Sequence, residues 1–90
     1  MRSKMTPTAA ETLALKALGF LANSPGALER FAEATGIGSK EMRTRAAEPE
    51  FLAAIVDFLL SEEERLKEFC HSESLDSRDV HLARYALPGG

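Results

Sequence analysis

Ninety residues, 44% of them hydrophobic and 28% charged, give a chain long enough for one core, too short for two, and too apolar to stay disordered. The formal net charge of −3 offers no global attraction to nucleic acid or to an anionic membrane, so binding to either would need a local basic patch. The single cysteine, Cys70, excludes an intrachain disulfide framework and points to a reducing, cytoplasmic compartment, where it reads as a small buried apolar residue.

The first apolar segment, Leu13 to Ala22, follows Arg2 and Lys4, but Glu11 and Lys16 break the continuity that the h-region of a secretory signal needs. It reads instead as a core helix. Thr6 with Pro7 opens that helix: a capping hydroxyl precedes a proline whose missing N–H costs nothing at the first helical position. Asn23 and Ser24 end it. Ser24 with Pro25 repeats the signal for a second helix, which Gly36 closes by supplying a left-handed conformation. Ser39 caps a short third helix to about Ala47. Pro49 blocks its continuation and opens a fourth through Leu60.

Ser61 with Glu64 matches a capping box at the start of a fifth helix. Within it Glu62, Glu63 and Glu64 complement the helix dipole, and Glu63 is spaced to pair with Lys67. Asp76 with Asp79 begins a sixth helix, which ends before Pro88. Apolar residues recur three and four apart, as in Leu28, Phe31, Ala32 and Thr35 or Val80, Ala83 and Leu87, and do not alternate as in strands. The expected fold is all-α, a single orthogonal or irregular bundle of about six short helices. Residues 1–5 form a flexible N-terminus, 6–87 the one helical domain and 88–90 a frayed end. Helices one and four, apolar nearly all round, are the expected central pair, and Gly19 within helix one points to a second backbone passing close. The run from Phe51 to Leu60, interrupted by Asp57, is far shorter than the roughly 20 residues that span a bilayer, so no membrane association is expected.

Convergent chemistry is scarce. His71 and His81 are ten residues apart, without the i, i+4 spacing that turns two imidazoles toward one metal. Cys70 and His71 point about 100° apart on a helix and do not form a thiolate–imidazolium pair. Asp57, alone in the most apolar helix, must either face solvent or be answered by an arginine such as Arg84. The closing Gly89-Gly90 is similar to the tails of ubiquitin-like carriers, but those use a strand-rich fold that this periodicity contradicts. No enzymatic activity, cofactor or metal is expected. One segment, residues 28–47, is similar to a helix-turn-helix: Ala32 lies four residues before Gly36, while Ile37 and Met42 are spaced to anchor the second helix. Lys40, Arg43 and Thr44 then face outward, and Arg30, Lys40, Arg43 and Arg45 form a candidate interaction surface. Glu41, Glu48 and Glu50 oppose a phosphate backbone there, and Arg45 falls where such motifs often place an apolar residue.

The blocks Ala17-Leu18-Gly19-Phe20-Leu21-Ala22, Phe31 with Thr35-Gly36-Ile37, Pro49-Glu50-Phe51-Leu52-Ala53-Ala54 through Asp57-Phe58-Leu59-Leu60, and the region from Ala83 to Gly90 carry a resemblance over almost the whole chain. Together they resemble a small bacterial family, chiefly alphaproteobacterial, catalogued as a domain of unknown function. The resemblance implies a helical fold and transfers no functional residue. With a small core, no convergent chemistry and surplus apolar surface on helix four, the expected role is a protein–protein interaction or regulatory adaptor module, with a protein partner or a homodimer. The alternative is nucleic-acid binding through segment 28–47.

Overall fold

The computed structural model describes residues 5–89, and its described residues form six helices and no strand. They are α1 (Pro7–Ala22), α2 (Ala27–Thr35), α3 (Ser39–Arg45), α4 (Pro49–Ser61), α5 (Glu63–Glu73) and α6 (Ser77–Ala86), packed as a single all-α bundle. Residues 1–4 of the expected flexible N-terminus, with Arg2 and Lys4, and Gly90 of the expected frayed end lie outside the described residues. Met5 rests half-buried against the core.

Three helix starts use the chemistry their sequences advertise. Thr6 Oγ1 accepts the Ala9 N–H at 3.1 Å, and Pro7 takes the first helical position of α1. Pro49 does the same for α4. At α6 the reciprocal box is complete: the Asp76 carboxylate caps the first turn, and Asp79 accepts the Asp76 N–H at 3.0 Å.

Three other expected caps are not made. The Ser24 hydroxyl donates backward to the Phe20 carbonyl at 2.9 Å and the Asn23 amide to the Gly19 carbonyl at 3.0 Å, so both serve the orphan acceptors at the end of α1. Pro25 and Gly26 then form a turn in which Gly26 adopts φ 76°, and α2 begins only at Ala27. Ser61 likewise belongs to the last turn of α4 and donates to Phe58 O at 2.7 Å, which leaves α5 without a side-chain cap. Ser39 is the first helical residue of α3, with Gly38 at the cap, and α3 stops two residues short of Ala47. In the first two cases one hydroxyl stood between two helix ends, and the unsatisfied carbonyls behind it won.

α4 is the core. Phe51, Leu52, Ala53, Ile55, Val56, Phe58 and Leu59 are buried, and α1, α5 and α6 pack around them. α2 joins through Phe31, whose ring meets Phe51 and Phe58 edge-on at centroid distances of 5.8 and 5.5 Å. α1 approaches through Ala10, Ala14, Ala17 and Leu21, a stripe of mostly small, fully buried residues that lets it lie close against α4 and α6. Phe20 leaves this stripe on one flank to meet Phe69 of α5 at 5.5 Å.

Two expectations about α1 are corrected here. Although apolar nearly all round, it is not buried all round, because Leu15 is 49% exposed and Leu18 and Phe20 are half-buried. Gly19 is exposed, with nothing within 4 Å of where a Cβ would stand, so no neighbouring backbone requires it.

Replacing Phe31 with alanine removes the one ring that ties α2 to α4. It is expected to cost about 3–5 kcal/mol in urea unfolding followed by far-ultraviolet circular dichroism. Gly19→Ala has room for its methyl and restricts the unfolded chain, so the same assay should show a gain of about 0.5–1 kcal/mol.

Candidate functional site

The helix–turn–helix segment folds locally as its residues dictate. Gly36, at φ 79°, ends α2 by donating its N–H to the Ala32 carbonyl at 2.7 Å. The Thr35 hydroxyl donates to Phe31 O at 2.8 Å and accepts the Ile37 N–H at 3.2 Å, which fixes the turn into α3. Met42 is buried, Ile37 half-buried, and Lys40, Arg43 and Thr44 are exposed. Met42 is the single buried residue of α3, which makes α3 the most lightly held helix of the bundle.

The structure divides the four candidate cations into two pairs. Arg30 reaches across to Glu62 at 2.9 Å, and Arg45 bonds Glu48 at 3.0 Å, so both guanidinium groups are occupied by carboxylates. Lys40 and Arg43 have no ion-pair partner among the described residues. Glu63 and Lys67 do not pair either. The carboxylate of that acidic run put to structural use is Glu62, at the junction of α4 and α5, which also receives Arg65 three residues on. Hydrogen bonding from Arg30 holds the Glu62 carboxyl below its ordinary value against the opposing effect of burial, and Arg65 adds to the lowering.

The other sequence candidates are spread over the molecule. Asp57 lies on the exposed side of α4 and accepts from Arg84 Nε at 2.6 Å, the pairing anticipated for it. Arg84 also donates to the Pro88 carbonyl at 2.9 Å, so one guanidinium fastens α4, α6 and the turn after α6. Cys70 is buried, and desolvation together with Asp76 and Asp79 pushes its thiol upward, which keeps it protonated and poorly nucleophilic near neutral pH. His71 and His81 are both exposed, and no group of three potential metal ligands lies together among the described residues.

A concave feature emerges where α3 leaves the bundle. Leu18 of α1, Leu28 of α2, Met42 of α3 and Ala46 just after that helix line an open groove of about 440 Å³, with Ser39 and Arg43 as its polar contributors. Leu15 stands one turn of α1 before Leu18 and is one of two exposed large hydrophobic residues among those described, the other being Tyr85. The expectation of surplus apolar surface on α4 is thereby corrected: α4 is covered by its neighbours, and the uncovered apolar surface among the described residues belongs to α1, the α2–α3 corner and, at Tyr85, α6. The available sequence signal was the position of Leu15, off the Ala10–Ala14–Ala17–Leu21 stripe by helical geometry.

Over residues 7–90 the sequence matches the family described as "Protein of unknown function (DUF3572)". The chain belongs to that family. No curated protein matches it, and neither does any solved structure. Among the described residues, this family member has no helix long and apolar enough to cross a membrane.

Since the Glu62 carboxyl is lowered in the folded state, its contribution is fully present above the unfolded carboxyl value, ordinarily 4.5, and is lost as pH falls through the folded one. Glu62→Gln is therefore expected to be less stable than the parent at pH 7. In urea titrations carried downward from pH 7, the gap between the two should hold above the ordinary carboxyl value of 4.5 and close as pH falls through the lowered folded one.

Proposed function

We propose that this family member is a small cytoplasmic protein-interaction or regulatory adaptor module, and not an enzyme, working through the groove bordered by α1, α2 and α3. The observation that carries the reading is the groove itself. It is an open, mainly apolar concavity in a molecule where, among the described residues, Leu15 on the same helix as Leu18 and Tyr85 are the large apolar side chains left exposed. Water in contact with such a surface is released when a partner covers it, so association is favoured by the same effect that folds the domain. The titratable groups support binding over catalysis. Asp57 and Glu62 are each committed to arginines, and the Cys70 thiol is held in its protonated, poorly nucleophilic form.

Nucleic-acid binding through segment 28–47 is the weaker reading. Two of its four cations, Arg30 and Arg45, are already neutralised within the fold, and exposed Glu41, Glu48 and Glu50 surround the remaining pair in sequence.

Crosslinked affinity capture from native cells separates the two. With a photoreactive side chain in place of Leu15, a discrete protein adduct is expected, whereas the same group at exposed Glu50 should give none. Recovery of nucleic acid alone, or of no specific adduct from a protein that sediments as a monomer, would overturn the interaction reading.

A further inference from the structure

We infer that the groove receives a single amphipathic helix of a partner protein, one whose apolar residues enter it and whose acidic residues run along the flank nearest α3. This rests on the interaction reading above and adds the chemistry of the occupant. The first argument is backbone satisfaction. The walls are Leu18, Leu28, Met42 and Ala46, and few hydrogen-bonding groups accompany them. An extended segment laid there would bring amide groups against an apolar surface that cannot pair them, whereas a helix satisfies its own backbone and presents only side chains.

The second argument is charge. Arg30, Arg45, Arg65 and Arg84 each hold a carboxylate, while Arg43, on the groove wall, and Lys40, three residues before it, hold none among the described residues. Residues three apart share one edge of a helix, so these two cations form the α3 rim. Glu41 lies one residue from Lys40 and about 100° round the helix, and it falls on the outer side. A helix seated in the groove thus meets a positive edge, which favours Asp or Glu on its near flank and disfavours Lys or Arg.

The test uses fluorescently labelled peptide pools of about 18 residues, long enough to be helical, with Leu, Ile, Met or Phe at positions i, i+3, i+4 and i+7. Their flanks carry all Glu, all Lys or all Gln. By fluorescence polarisation the Glu-flanked pool should bind the intact protein about tenfold more tightly than the Lys-flanked pool, and Arg43→Glu combined with Lys40→Glu, both exposed changes, should reverse that order. Methyl resonances of Leu18, Leu28 and Met42 should shift on addition of the Glu-flanked pool. The inference is overturned if no pool binds, if flank charge makes no difference, or if the shifting methyls lie elsewhere. It is also overturned if those methyls shift with protein concentration alone, which would assign the groove to a second copy, or with a DNA duplex in place of peptide. A protein adduct captured through position 15 alongside any of these negatives would leave the interaction reading standing and remove only the acidic-edged helix.

Discussion

Everything in this fold depends on hiding α4. A helix with seven buried residues in thirteen needs cover on several sides, and the described residues hold five other helices with which to provide it. The solution is economical in volume. α1 contributes Ala10, Ala14 and Ala17, small enough for close approach, and α2 contributes the Phe31 ring, set edge-on between Phe51 and Phe58. Because the alanines carry little apolar area of their own, the large residues of α4 and the few phenylalanines facing them must supply most of the hydrophobic stabilisation. That concentration is why one ring on α2 matters so much.

Polar side chains are arranged around this core as fasteners at its edges. The charge that interrupts α4, Asp57, falls on the side of the helix left to solvent, where Arg84 reaches it and the chain end after α6 together. At the other end of α4, Glu62 occupies the bend into α5 and gathers Arg30 from α2 and Arg65 from α5. Neither carboxylate pays the full desolvation cost of a buried charge, since both lie at the margin of the bundle. The Arg30–Glu62 and Arg84–Asp57 links join elements distant in sequence, so their effect is to fix the angles at which helices meet the core and not to supply the bulk of its stability.

Much of this was legible in the residues, for reasons that also explain what was not. Periodicity identified the six helices because each turns apolar residues toward its neighbours in the bundle, and Thr6-Pro7, Pro49 and Asp76 with Asp79 marked their starts because nothing competed for those groups. Ser24 and Ser61 misled because a hydroxyl between two helices can serve either, and sequence spacing says nothing of which end is the more in need. Arg84 could be named as the answer to Asp57 because a lone carboxylate in an apolar helix demands one. The groove itself was not legible: Leu15 and Leu18 read as core because a leucine in an apolar helix ordinarily is, and although Leu15's place off the alanine stripe hinted at exposure, the groove's walls follow only from how α2 and α3 turn the corner at Gly36. Of the four cations proposed as a surface, the loss of Arg30 to Glu62 depended on a contact 32 residues away.

The same shortage of material connects the core to the surface proposed for function. With its larger apolar side chains spent on covering α4, the chain holds α3 chiefly by Met42, and the wall that α3 contributes to the groove is accordingly its least anchored part. A partner helix seated against Leu18, Leu28 and Met42 would supply apolar contacts that the chain itself lacks, so binding and the ordering of α3 would be thermodynamically linked. The stabilisation of α3 by an occupant and the tightening of the occupant by a well-placed α3 are one coupling free energy seen from two sides. A small domain that left this corner fully packed would be more stable alone and would have no such coupling to offer.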